Sequence, residues 1–263
     1  MSPVLRTTLL YSLVPVVFTI TGAALGAFWP AMARLRSYVL HLAAGVVFSV
    51  VAVELLPEIQ RRALVWDVVL GFALGIATML VVDKVLDRIR GEDDDDDDDD
   101  DDDRKETASE RRVAGPSGTV GLSLLVAVGI DFLLDGLLLG VGFAAGARIG
   151  ILLALAEAAE QLSVGLALAG EMTRGGVGRG RVLLVVSALG TLVFASAVLG
   201  ATVLSRLTGG AMEVVLSFGL AALLYLVTEE LLREAHEERE TTLATAMFFV
   251  GFLAFLVVGM TLD

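Results

Sequence analysis

Apolar residues in this chain gather into eight long blocks separated by short polar stretches, a pattern that belongs to a membrane protein rather than to a soluble core. Crossing the hydrocarbon region takes about 20 apolar residues, so spans are predicted at 8–28, 37–57, 66–88, 118–145, 149–172, 181–205, 211–233 and 243–262. Continuous runs of Leu, Ala, Gly and Val favour helices, because a membrane barrel would alternate polar and apolar positions within each short strand. The expected fold is all-α: a polytopic membrane protein forming an eight-transmembrane-helix bundle. Its expected organisation is helices 1–3 within 1–88, an acidic loop over 89–117 and helices 4–8 within 118–263. Pro57 is expected to end the second helix, since proline has no backbone N–H to donate.

Composition agrees: the 263 residues are 56% hydrophobic, with a mean hydropathy of +0.80. The net charge of -13 is local, because Asp93 to Asp103 contribute eleven negative charges and leave -2 for the rest. That run reads as a solvated, self-repelling and disordered linker, the other reading being a weak cation sink at the inner mouth. The first block follows Arg6, is too long for a signal-peptide core and precedes no clear small-residue cleavage site, so it reads as a retained span. Counting Lys and Arg by loop puts fourteen on the side of the loops after helices 1, 3, 5 and 7 and five on the other. The positive-inside rule then places both termini outside the cytoplasm and the acidic loop inside it, in what is expected to be the cell membrane. With no cysteine, thiolate sites and disulfides are excluded, and any metal must be held by oxygen or imidazole.

Four acids interrupt the apolar blocks: Asp131 and Asp135 in helix 4, Glu157 and Glu160 in helix 5. A charge at bilayer depth costs at least ~2.5 kcal/mol, and neither helix interior offers a lysine or arginine. Spacings of four and three residues put each pair on one helix face. The tight connection Gly146 to Gly150 makes the two helices antiparallel neighbours, and Asp135 and Glu160 lie equally far from its centre, at a depth of roughly 19 Å. Carboxylates held that close repel unless a cation intervenes. A divalent ion suits such a cluster; the other reading is protonated acids acting as helix glue or as a proton relay. Gly129, Gly136, Ala158 and Ala159 are expected to let the two helices approach closely.

Further acids lie near the helix ends. Glu54 is within a turn of the outer boundary and reads as a gate candidate, while His41 reads as a hydrogen-bonded filler. Glu230, Glu234 and His236 at the end of helix 7 form a candidate release site. Asp83, Lys84, Asp87 and Arg88 read as self-neutralising pairs.

Taken together, the chain resembles the ZIP family of divalent-metal transporters, in its bacterial and archaeal branch. The resemblance covers nearly the whole length. Ala43-Ala44-Gly45 through Leu55-Leu56-Pro57-Glu58 is similar to the family's second helix, and Phe218-Gly219-Leu220-Ala221 through Tyr225 to Glu230 to its seventh. The helix 4 motif H-N-x-P-E-G falls on Asp131-Phe132-Leu133-Leu134-Asp135-Gly136, and the helix 5 motif H-E-x-P-E-G on Ala156-Glu157-Ala158-Ala159-Glu160-Gln161. The resemblance implies a metal site on Asp131, Asp135, Glu157 and Glu160. Both motif histidines are absent, which leaves an all-carboxylate set harder than the usual zinc environment and compatible with Mn²⁺, Fe²⁺ or Mg²⁺. Phe132 replaces the asparagine of two-metal members and helix 6 has no acid from Leu192 to Leu199, so a single ion is expected.

The function expected is inward passage of a divalent cation through a mid-membrane carboxylate site, with the metal as substrate and no cofactor. A proton-coupled carrier using the same acids, or a non-transporting metal sensor, would be the alternatives. No G-x-x-x-x-G-K-[ST] sequence is present to bind ATP, and no nucleophile-base arrangement argues for an enzyme. The expected partners are the metal ion and the lipid bilayer, with no nucleic acid. The small-residue face from Gly190 to Ala201 would suit either a homodimer or packing within one protomer.

Overall fold

A computed structural model describes residues 3–29, 36–62, 64–90, 122–233 and 241–261, and all the regular structure within them is helical. Eight helices are long and apolar enough to span a membrane: α1 (Val4–Phe28), α2 (Ser37–Arg61), α3 (Val65–Leu86), α4 (Leu124–Ala145), α5 (Ala147–Arg174), α6 (Arg179–Leu204), α7 (Gly210–Glu229) and α8 (Thr242–Thr261). The predicted spans fall on these helices with ends displaced by a few residues. The acidic run Asp93 to Asp103 lies outside the described residues.

Two helices depart from the sequence expectation. α1 breaks at Ser12, where the serine hydroxyl donates to the Thr8 carbonyl and Pro15 offers no N–H to the carbonyl of Tyr11. α2 does not end at Pro57 but continues to Arg61. The reason is a π-helical turn over Val51–Leu55, after which the Leu56 N–H donates to the Val51 carbonyl five residues back. Pro57 thereby falls in the first turn of a new α-helical segment, where a missing N–H is tolerated. A second π-helical turn, Leu226–Leu231, closes α7.

Glycines set the packing. A Cβ on Gly22 would strike the Leu162 carbonyl, and one on Gly165 the Thr19 carbonyl, so α1 and α5 meet backbone to backbone. Gly45 and Gly251 do the same between α2 and α8, Gly71 and Gly75 between α3 and α7, and Gly136 and Gly140 between α4 and α6. These four pairings are the most extensive in the bundle. The pairing scheme maps onto itself when α1, α2 and α3 are exchanged with α6, α7 and α8, and α4 with α5. α1 and α6, α2 and α7, and α3 and α8 are five spans apart and α4 and α5 are adjacent, so the helices of each exchanged pair run in opposite directions, the arrangement of an inverted repeat. The two π-helical turns occupy equivalent places in it, one in α2 and one in α7.

The helices thus form two groups of four. α1, α4, α5 and α6 make one, and α2, α3, α7 and α8 make the other, joined chiefly where α2 lies along α5. Lipid-facing side chains are large and apolar, as on α3 with Trp66, Val69, Leu70 and Leu80. The Gly190 to Ala201 face is used within the protomer: Gly190 abuts Val16 and Thr19, Gly200 abuts Gly140, and Ala197 and Ala201 are fully buried.

Candidate functional site: buried carboxylates between α1, α4 and α5

Asp135, Glu157 and Glu160 are 1–3% exposed, deep inside α4 and α5, whereas Asp131, one turn away on α4, is only partly buried. The first group of helices holds no lysine or arginine at 7–28, 124–145, 149–173 or 182–204. Glu157 Oε2 is sealed from solvent and has no hydrogen-bond partner within the protein.

Asp135 Oδ2 accepts a 2.8 Å hydrogen bond from Gln161 Nε2, and Gln161 Oε1 accepts one of 2.9 Å from the hydroxyl of Thr19. This chain of polar groups ties α4, α5 and α1 together at one depth. Residue 161 is one position beyond Glu160, so the level expected from the α4–α5 turn is offset by a single residue, about 1.5 Å of rise. Glu157 and Gln161 are four apart and share a face of α5. Among the described residues, no three His, Asp or Glu side chains are grouped closely enough to enclose an ion.

The small residues beside the acids act differently from expectation. Gly129 and Gly136 face α6, at Leu189, Leu192, Val193 and Ser196, rather than easing α4 toward α5. The reason is that Asp135 points to α5, which turns the glycine beside it toward α6. Closeness of α4 and α5 comes instead from Gly142 and Gly150 near their connection, which seat Leu153 and Phe143.

At the end of the bundle that carries the α4–α5 turn, a cavity of about 480 Å³ is lined by Glu54, Pro57, Glu58, Arg61, Arg148 and Gly259 among others. Arg148 reaches across it to Glu54 at 2.9 Å and to the Gly259 carbonyl at 3.1 Å. This ion pair links the two helix groups. Glu54 sits within the π-helical turn of α2, which re-aims it. His41 is buried, with its Nδ1 donating to the Ser37 carbonyl at 2.8 Å, as a filler would. Asp83 accepts a 3.0 Å hydrogen bond from the Tyr225 hydroxyl, a tie between α3 and α7 that local pairing with Lys84 does not anticipate. Glu234 and His236 lie outside the described residues, and the Glu230 side chain is likewise not described.

Sequence reading passed over Thr19, Gln161 and Arg148 as site residues. Gln161 carries a signal in the sequence, a polar group one helical turn after Glu157; Thr19 carries only its polarity inside an apolar block, and Arg148 only a charge in the α4–α5 turn.

A bundle of eight apolar helices with carboxylates sealed inside one half of it defines an integral membrane protein built to hold charge within the bilayer. The family model for the ZIP zinc transporter matches residues 84–259, more than half of the chain, and the chain belongs to that family. It is therefore a membrane transporter of divalent metal cations, from a family of transporters rather than enzymes, and the metal is substrate rather than cofactor. Among curated proteins none matches the chain.

Proposed function

We propose that this transporter moves its cation into the cytoplasm through a mid-membrane site formed by Asp131, Asp135, Glu157 and Glu160. The observation that supports this reading most is the burial of Asp135, Glu157 and Glu160 to 1–3% exposure in helices without an internal lysine or arginine. Charge at that depth is costly, and a bound divalent cation would offset it. A bound divalent ion would offset the mutual repulsion of these carboxylates. Oxygen-only donors favour hard ions such as Mn²⁺ and Fe²⁺ over the thiol- and imidazole-preferring ones. Helix 6 adds no acid between Leu192 and Leu199, so one ion occupies the site at a time.

The cation reaches the site from the cavity around Glu54 and Glu58, on the non-cytoplasmic side, and leaves past Glu230, Glu234 and His236. Both termini lie on the non-cytoplasmic side, in the cell membrane. Passage requires the two helix groups to rearrange about the site, as in carriers built from inverted repeats. The Glu54–Arg148 ion pair, which crosses between the groups, is the latch on the outer side.

The test is uptake into liposomes that contain the purified protein and a metal-sensitive dye. Mn²⁺ or Fe²⁺ entering well above the rate of empty vesicles is the expected result. Failure of Mn²⁺, Fe²⁺, Zn²⁺ and Cd²⁺ alike, with proton flux in their place, would transfer the acids to a proton relay.

A further inference from the structure

We infer that the two π-helical turns are unequal partners in transport: Pro57 is a positioning residue that locks the turn in α2 and so fixes Glu54, whereas the turn in α7, with Arg233 at the matching place, converts between π and α and re-aims the end of that helix. The inference rests on the reading of Glu230 and Glu234 as the release side of the path.

The turns match in sequence as well as in place. Glu54-Leu55-Leu56-Pro57-Glu58 reappears as Glu230-Leu231-Leu232-Arg233-Glu234. At the same separation along the chain, Phe72, Gly75 and Leu80-Val81-Val82 reappear as Phe248, Gly251 and Leu256-Val257-Val258. Packing keeps this correspondence: Gly75 abuts Phe218 of α7, Gly251 abuts Leu42 of α2, and Leu42 and Phe218 are themselves a pair at that separation. So does the backbone. Leu56 N–H donates to the Val51 carbonyl in one turn and Leu232 N–H to the Val227 carbonyl in the other, each five residues back and each between matching residues.

Pro57 and Arg233 break the match, and they do so at the hydrogen bond that decides between the two registers. In an uninterrupted α-helix residue 57 would donate to the Val53 carbonyl and residue 233 to that of Glu229, each four back. Proline has no N–H to give, and its ring collides with the carbonyl four residues before it. α2 therefore cannot relax from π to α without driving Pro57 into the Val53 carbonyl. Arg233 keeps its N–H and serves either register. α7 also has a spare donor for carbonyls that a change of register releases: the Thr228 hydroxyl lies 2.9 Å from the Leu224 carbonyl and 3.2 Å from that of Tyr225, whereas α2 has Ala52 at the matching place.

A π turn carries one residue more than an α turn, so its conversion rotates the helix beyond it by about 100°. In α7 that rotation acts on the segment from Glu230 onward. In α2 the locked turn holds Glu54 in one direction on its own helix, where it meets Arg148 at 2.9 Å.

The experiment compares Mn²⁺ uptake into liposomes and Mn²⁺ titration by calorimetry for the full-length parent, Arg233→Pro, Arg233→Ala and Glu230→Gln. Arg233→Pro, which copies Pro57 into α7, should lose at least about tenfold in maximal uptake, because proline disfavours the α register by more than that; its Mn²⁺ affinity should not change. Arg233→Ala removes the charge but keeps the N–H, and should transport within about twofold of the parent. Hydrogen exchange reports the conversion itself: the Leu232 amide should exchange faster than the Leu56 amide, and Arg233→Pro should slow it. Parental uptake in Arg233→Pro, or an equal loss in Arg233→Ala, would overturn the inference. If Arg233→Pro does not fold, Pro57→Ala in a Val53→Cys background decides: its labelling by a water-soluble maleimide should quicken as Glu54 gains freedom, and an unchanged rate overturns the inference. Glu230→Gln separates the two levels. Parental uptake there sinks the release reading and leaves the conversion to be judged by exchange; a loss there beside parental uptake in Arg233→Pro sinks only the convertible turn.

Discussion

Three acids in this protein are buried where a solitary charge costs more than it returns. Asp135, Glu157 and Glu160 are each at most 3% exposed, and Asp135 Oδ2 accepts a hydrogen bond from the Gln161 amide. Removing a charged ligand from a buried pair costs at least ~2 kcal/mol, so Asp135→Asn and Glu160→Gln should each weaken Mn²⁺ binding by roughly thirtyfold or more. Glu230→Gln, at the end of α7, should change it by less than about threefold. Isothermal titration of the three variants checks the ranking, and equal affinities would move the site elsewhere. Neutral replacements are the right probes because they remove the charge while nearly keeping the volume of each side chain.

At the scale of helices, close backbone approach holds the bundle together. A side chain at Gly22 has no space that the Leu162 carbonyl does not fill, so Gly22→Val should part α1 from α5 and destabilise the protein by about 1–3 kcal/mol. Gly170, on α5 with nothing near its missing Cβ, is the control: Gly170→Ala should be neutral or stabilising by about 0.5–1 kcal/mol. Thermal unfolding in one detergent compares the two. The ion pair between Glu54 and Arg148 acts differently. Arg148 is 41% exposed, so the pair adds little to stability, at most about 1 kcal/mol after solvent screening. A latch of that strength still shifts an opening equilibrium by up to about fivefold. Because the chain has no cysteine, a single Val53→Cys in the cavity wall reports on opening. Its labelling by a water-soluble maleimide should quicken in Glu54→Gln and in Arg148→Gln alike, and no further in the double variant. Labelling rates that stay unchanged would remove the latch.

For the whole molecule, the division into two groups of four explains why the acids and the latch lie where they do. The carboxylates belong to α1, α4, α5 and α6, whose mutual packing is close and glycine-mediated, and the latch bridges from that group to the other. On the proposed reading, rearrangement between the groups leaves the geometry of the site undisturbed. Hydrophobic periodicity made the eight spans legible, because the bilayer demands a fixed length of apolar helix whatever the tertiary contacts. Charge arithmetic made the acids legible for the same kind of reason, since a carboxylate in an apolar run is costly in any fold. Helix register brought Asp135 to the level of residues 160 and 161, because an antiparallel pair with a tight turn leaves little freedom along its axis. What periodicity could not reveal was rotation about that axis. Whether Asp135 meets Glu160 or Gln161, and whether Gly136 faces α5 or α6, depends on which neighbour fills each groove. Nor does a single span announce that Thr19 of α1 and Arg148 of the α4–α5 turn reach across to distant elements. Span number and the placement of acids within the spans were thus determined by local sequence, through costs that each segment bears alone. The pairing of helices, the inverted symmetry, the π-helical turns and the Thr19–Gln161–Asp135 chain were decided by tertiary structure, because each is a property of surfaces meeting rather than of any segment.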